Sequence, residues 1–290
     1  MSAWKPYSLT PNTVVGDLRV WERLYSPQLD NDRNVFVWLP PGYDLDTAHY
    51  PVIYMHDGQN LFDAHHSHSG EWQVDETMTT LANDGLPAII VGLPNMNEMR
   101  GIEYSPYDFT MQDQRHSGRG DAYIGFVTET VKPLIDSHFR TRPEPAFTGI
   151  AGSSMGGLIS LHGFLTRRDV FGLCGAFSTA YWFGENALLQ TAVRLADGTG
   201  RVYLDVGTRE GETLTWFFPN LPPVDLDMAY VDGVRALRDA LLTAGYAEGD
   251  QFMYLEEEGA PHHESAWARR LPAAMRFLLA STRKDAEHTL

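Results

Sequence analysis

A single cysteine occurs among 290 residues, so no internal disulfide can form, and Cys174 lies in an apolar segment that suits a core thiol rather than a nucleophile. Basic residues are also scarce. Lysine and arginine number 22 against 38 aspartates and glutamates, and the resulting charge of −16 argues against a nucleic-acid-binding surface. No apolar run reaches the length needed to cross a bilayer, which argues against a membrane partner. The segment from Met1 to Asp17 lacks a basic stretch followed by an apolar one, so no signal peptide is expected and the cytoplasm is the expected compartment. Internal repeats, low-complexity tracts and linkers are missing as well. One domain over residues 1–290 is therefore expected.

What is present is an alternation of short apolar runs with helical periodicities. Two β-rich segments, Leu18 to Tyr25 and Asn34 to Leu39, precede the turn signal Pro40-Pro41-Gly42. Strands are then predicted at Val52–His56, Ala88–Val91, Ala146–Ala151, Leu173–Phe177, Arg201–Val206 and Gln251–Leu255. Helices are predicted at Asp75–Ala82, Ala122–His138, Met155–Leu165, Val231–Ala244 and Glu264–Ser281. Such alternation implies an α/β fold with a mainly parallel central sheet covered by helices on both faces.

Chemistry enters at Gly152-Ser153-Ser154-Met155-Gly156, where a G-x-S-x-G spacing turns a buried strand into a helix. A nucleophile on that turn adopts strained backbone geometry, and glycines two before and two after it relieve crowding. The helix that follows aims its free amides at the same point, so the Met155 amide can bind an oxyanion. In this arrangement the acid and then the histidine follow the serine in the chain. Glu210 falls on the loop after the Arg201–Val206 strand and is preferred to Asp205, which lies inside the strand. Between the last strand and the last helix stand His262 and His263, either of which could serve as general base.

These segments together resemble the α/β-hydrolase esterase family that includes enterochelin esterases, feruloyl esterases and mycolyltransferases. The resemblance is carried by VFVWLPPGYD, YPVIYMHDGQNLFD, EWQVDE, GLPNMNEMRGIEYSP, FTGIAGSSMGGLISL, LDVGTREG and HHESAWARRLP. It implies the α/β-hydrolase fold and a Ser154-Glu210-His262 triad, because the family's histidine precedes a tryptophan, here Trp267, by five positions. It also implies that the amide of Gln59, after the Asp57-Gly58 pair, supplies the second oxyanion donor. Asp225 and Asp227, in a segment that looks longer than in compact members, are further candidate acids. The implied activity is serine ester hydrolysis of a small-molecule ester without a cofactor, with acyl transfer to a sugar or other alcohol as the alternative. A non-catalytic binding member of the fold is the third reading. Enterochelin esterases carry an extra N-terminal domain, whereas this sequence starts almost directly at the hydrolase segment.

Loop residues should complete the pocket. Trp72, Arg100, Tyr104 and Trp182 are the candidate substrate contacts, with Tyr107, Trp216, Phe217 and Phe218 as further aromatic walls. Arg100 and Glu103 could orient a polar substrate or pair with each other. The stretch His65-His66-Ser67-His68 has paired imidazoles but no firm carboxylate or cysteine spacing, so no metal is assigned. The oligomeric state is not readable from the sequence.

Overall fold

The computed structural model describes residues 3–111, 114–184, 186–216 and 223–287. Its strands are β1 (Lys5–Pro6), β2 (Asp17–Ser26), β3 (Asn31–Leu39), β4 (Val52–His56), β5 (Ile89–Leu93), β6 (Phe109–Met111), β7 (Gln114–His116), β8 (Thr148–Ser153), β9 (Leu173–Phe177), β10 (Arg201–Arg209) and β11 (Phe252–Pro261). Its α-helices are α1 (Val74–Asn83), α2 (Arg100–Glu103), α3 (Gly120–Gly125), α4 (Lys132–His138), α5 (Met155–Thr166), α6 (Ala187–Leu195), α7 (Pro223–Thr243) and α8 (Glu264–Glu287).

Nine strands form one sheet in the order β1-β2-β3-β5-β4-β8-β9-β10-β11. The first three strands are antiparallel neighbours and β3 meets β5 antiparallel, while every pairing from β5 to β11 is parallel. The fold is thus the expected α/β-hydrolase arrangement, with β6 and β7 as a separate hairpin.

Alternation along β4 explains why the sheet is covered twice. Val52 and Tyr54 enter one apolar cluster with Ile150, Leu158 and Phe164, while Ile53 and Met55 enter another with Trp72, Met78 and Trp267. A strand buried on both faces reads as a near-continuous apolar run, and β4 does so from Val52 to Met55 before ending in the buried His56. Helix α5 is buried along its length up to Leu165, which marks it as the central crossover behind β8 and β9 rather than a surface helix. The core here also holds Cys174, whose thiol burial pushes up, away from reactivity.

Several element boundaries differ from the sequence expectation. Pro145–Phe147 forms a 3-10 turn, so β8 starts at Thr148. The expected helix from Ala122 to His138 is three pieces, α3, a π-helical segment Phe126–Val131 and α4. Helix α7 begins at Pro223, eight residues before the predicted start, which carries Asp225 and Asp227 onto a helix. Strand β11 runs on through Glu256-Glu257-Glu258, because Arg235 of α7 and Arg269 of α8 pair with Glu256 and Glu257. Helices α2 and α6 had no expectation.

Candidate active site

Parallel strands end on a common edge, and the chain exploits this repeatedly. Ser154 is the first residue after β8, Glu210 the first after β10, and His262 the first after β11. These strands lie in the order β8-β9-β10-β11, so three widely separated positions reach one rim of the sheet.

Ser154 has φ 56° and ψ −120°, a conformation that costs a non-glycine residue on the order of 1–3 kcal/mol. The surroundings hold it there. Its amide donates to the Phe177 carbonyl at 2.9 Å, and its carbonyl accepts from Leu158 and Ala180 at 3.0 Å each. Of the two elbow glycines, Gly152 is the constrained one: a Cβ there would meet His56 Cδ2 at 2.9 Å and the Gly156 backbone at 3.0 Å. At Gly156 the nearest contact would be an ordinary 3.4 Å. His56, beneath the elbow, lies 2.9 Å from the Tyr123 hydroxyl, and burial pushes its imidazole down to about 3, so it stays neutral.

Glu210 is 0% exposed, and its Oε2 lies 3.0 Å from His262 Nδ1. Its Oε1 accepts from the Gly207 amide and the Ser178 hydroxyl, both at 2.6 Å. The competing acids occupy other roles. Asp205 accepts from the Ser178 amide and the Tyr203 hydroxyl and faces Arg270 at 3.1 Å; burial pushes its carboxyl up to about 7 against the pull of that guanidinium. Asp227 accepts from the Gly211 amide at 2.6 Å, and Asp225 is exposed on α7. His263 turns to Ser265 at 3.0 Å, which leaves His262 as the histidine paired with a carboxylate.

Ser154 and His262 open into one cleft of about 330 Å³, shared with Gln59, Trp72, Arg100 and Glu264. Among the described residues the amides of Met155 and Gln59 meet no hydrogen-bond acceptor. Gly58 lets the Gln59 turn press against β5, since a Cβ there would meet the Leu93 amide nitrogen at 2.6 Å. The Gln59 side chain accepts from the Asn95 amide at 3.1 Å.

The expected pocket residues divide. Trp72 lines the cleft, packed against Phe177 and Trp267 with ring centroids 5.1 and 5.4 Å away. Arg100 lines it too, but its partner is Asp57, held through Nε and Nη2 at 2.8 Å each, and not Glu103. Glu103 is buried against Arg33 at 2.8 Å instead. The Tyr104 position needs correction as a substrate contact: the residue is 0% exposed and its hydroxyl accepts from the Asp57 amide, behind Arg100. Trp182 stands one ring back, edge-on to Tyr230 at 4.9 Å, and Tyr230 in turn lies 5.6 Å from His262. Tyr107 hydrogen-bonds Thr191, away from the cleft. Phe217, Phe218 and the Trp216 side chain lie outside the described residues.

Some cleft residues carried no sequence signal. Asn60 donates to Glu264 at 3.2 Å and accepts from the His68 amide at 2.9 Å, tying the loop after β4 to the start of α8. Burial pushes the Glu264 carboxyl up. Of the histidine stretch, His68 lines the cleft, while His66 lies 3.9 Å from Asp63. A carboxylate group with oxygens within 4.8 Å of one another forms elsewhere, from Glu71, Asp75 and Glu76. It receives Thr13 Oγ1 and the Val15 amide, so it ties the N-terminal strap to α1.

A family model described as "Putative esterase" matches residues 26–278. The chain belongs to this esterase family. It is a serine esterase, acting on carboxylic esters. The esterase is 26% identical over 256 residues to the uncharacterized protein YbbA of Bacillus subtilis, covering 87% of this chain and 94% of that one. Among solved structures it is similar to the BES protein from Bacillus cereus, with a TM-score of 0.69 and 22% identity over 96% of this chain and 98% of that one. The siderophore hydrolase EstA from Aspergillus nidulans superposes with a TM-score of 0.70 at 17% identity, over 95% and 99% of the two chains. No helix among the described residues is long and apolar enough to cross a membrane.

Proposed function

We propose that the esterase hydrolyses a small-molecule ester through an acyl-enzyme on Ser154, with His262 as general base and Glu210 as the acid that orients it. The observation that carries this reading is the buried Glu210–His262 pair at 3.0 Å beside a strained serine in the same cleft. His262 takes the Ser154 proton as the hydroxyl attacks the ester carbonyl. The carbonyl oxygen gains negative charge, and the Met155 and Gln59 amides donate to it, each worth a few kcal/mol of transition-state stabilisation, about 3. Collapse expels the alcohol, protonated by His262; water then attacks the acyl-enzyme by the same route, and the acid leaves. Glu210 orients the imidazole and stabilises the imidazolium that forms.

Water rather than an alcohol is the proposed acceptor. Asn60, Asn95, Arg100 and Glu264 make the cleft wall polar, whereas transfer to an alcohol needs a surface that excludes water. Siderophore-type esters are the first substrates to try, because the similar EstA is a siderophore hydrolase.

Burst kinetics on p-nitrophenyl esters of increasing acyl length test the reading, with and without an added alcohol. Ser154→Ala should lose about 10⁴-fold or more in kcat with no burst. Undiminished activity in Ser154→Ala would remove the serine from the mechanism, and turnover seen only with the alcohol present would replace hydrolysis by transfer.

A further inference from the structure

One strand end on the rim is still without a role. Strand β9 lies between the strands of Ser154 and Glu210, and its first following residue is Ser178. Every polar atom of Ser178 is engaged. Its amide donates to Asp205 Oδ1 at 2.9 Å, and its carbonyl accepts from the Tyr230 hydroxyl at 2.6 Å. Its Oγ lies 2.6 Å from Glu210 Oε1, 2.9 Å from Trp267 Nε1 and 2.9 Å from Arg270 Nη2.

The proton count fixes the direction of these bonds. A hydroxyl has one hydrogen and two lone pairs, while an indole nitrogen and a guanidinium can only donate. Trp267 and Arg270 therefore occupy both lone pairs, and the one hydroxyl hydrogen points at Glu210. Trp267 and Arg270 are three apart on α8 and so share a face of the helix that begins two residues after His262. Arg270 also lies 3.6 Å from Glu210 Oε1 and 3.1 Å from Asp205 Oδ2. The helix that follows the base thus also reaches behind the acid.

We propose that Ser178, Trp267 and Arg270 are positioning residues for catalysis, forming a hydrogen-bonded unit that holds the Glu210 carboxylate in the one orientation from which Oε2 faces His262. The proposal rests on the reading of Glu210 as the triad acid. It gives the five-residue spacing between His262 and Trp267 a physical purpose: the indole N–H loads the serine that aims the carboxylate, while the indole ring stands edge-on to the imidazole at 5.0 Å.

Two substitutions isolate the unit. Trp267→Phe keeps an aromatic ring against His262 and removes the N–H together with one ring of the indole. Ser178→Gly removes the hydroxyl at a residue whose φ is 43°, which glycine adopts without strain. The expected result is a fall in kcat of about tenfold for Trp267→Phe and more for Ser178→Gly, with KM changed less than about twofold. The low-field proton resonance of the His262 Nδ1–H should shift in both. In a Glu210→Gln background, Ser178→Gly should add less than about a twofold further loss, because the two act through one carboxylate. Full kcat in both variants, or a Ser178→Gly loss undiminished in the Glu210→Gln background, would overturn the proposal while leaving the triad intact. If Ser178→Gly fails to fold, Trp267→Phe alone decides by the same readouts. Wild-type kcat in Glu210→Gln would instead overturn the acid assignment, and with it this proposal.

Discussion

Asp75 shows how far one residue can be from what its type suggests. It opens α1, where a negative charge normally favours the helix dipole, yet it is 0% exposed beside Glu71 and Glu76 and its carboxyl is pushed up to about 8 by burial. The unfolded chain releases this proton near pH 4, whereas the folded chain keeps it until about pH 8. Folding therefore takes up a proton between those values. The stability contribution is fully present below about pH 4 and is lost as pH rises towards 8. Asp75→Asn cannot titrate, and its amide oxygen can still accept from Val15. Relative to wild type it should gain about 1–3 kcal/mol between pH 5 and pH 8.5. Thermal or urea melts of both proteins at the two pH values check this, and a constant difference would mean that Asp75 does not titrate in that range. At this scale the candidate triad was legible because nucleophile, acid and base must follow strands in a fixed order. Ser178 and Arg270 were not, since a serine after a strand and an arginine on a helix carry no spacing signature. Arg100 and Glu103 misled for the related reason that i,i+3 spacing permits a pair without requiring one. Each found a stronger partner on another element, Asp57 and Arg33.

Among the elements, the β8–α5 turn is the one whose sequence pattern says most, though its two glycines are unequal. Gly152 sits where a methyl group would strike His56 and the Gly156 backbone, and His56 is itself fixed by Tyr123. At Gly156 a methyl group would make only ordinary van der Waals contacts, in the first turn of a helix where alanine is favoured over glycine by roughly 1 kcal/mol. Gly152→Ala should lower both Tm and kcat, by about 1–3 kcal/mol of stability. Gly156→Ala should be neutral or stabilising and keep most of its activity. Equal losses in the two would mean that the turn tolerates no Cβ on either side. Element cores were readable because β9 and most of β4 and α5 are apolar. Ends were harder: β11 reads as finished at its acidic run because the arginines of α7 and α8 that neutralise it are distant in sequence. The order of strands was not readable either, since periodicity says nothing about which neighbours a crossover selects.

Over the whole molecule the excess of acid reaches the reaction itself. A charge of −16 surrounds a cleft in which the Arg100 guanidinium is matched by Asp57, and in which Glu264 adds a carboxyl rather than a cation. An anionic ester thus approaches a negative surface and finds Arg100 already engaged. A neutral ester meets neither effect. Salt separates the two, because the screening length falls from about 30 Å at 0.01 M to less than about 8 Å above 0.15 M. Raising the ionic strength across that range should increase kcat/KM for an ester with a free carboxylate on its acyl chain by about 2–10-fold, with the neutral ester of matched length unchanged. The gain should fall in KM or in the association rate rather than in kcat, since repulsion acts before the chemical step. A flat response for both esters would mean that the local Asp57–Arg100 geometry, and not the surrounding field, decides which charge the cleft accepts. Arg100→Gln distinguishes these cases further: it leaves Asp57 uncompensated, so the anionic ester should lose more than the neutral one at low salt and regain part of that loss as salt rises.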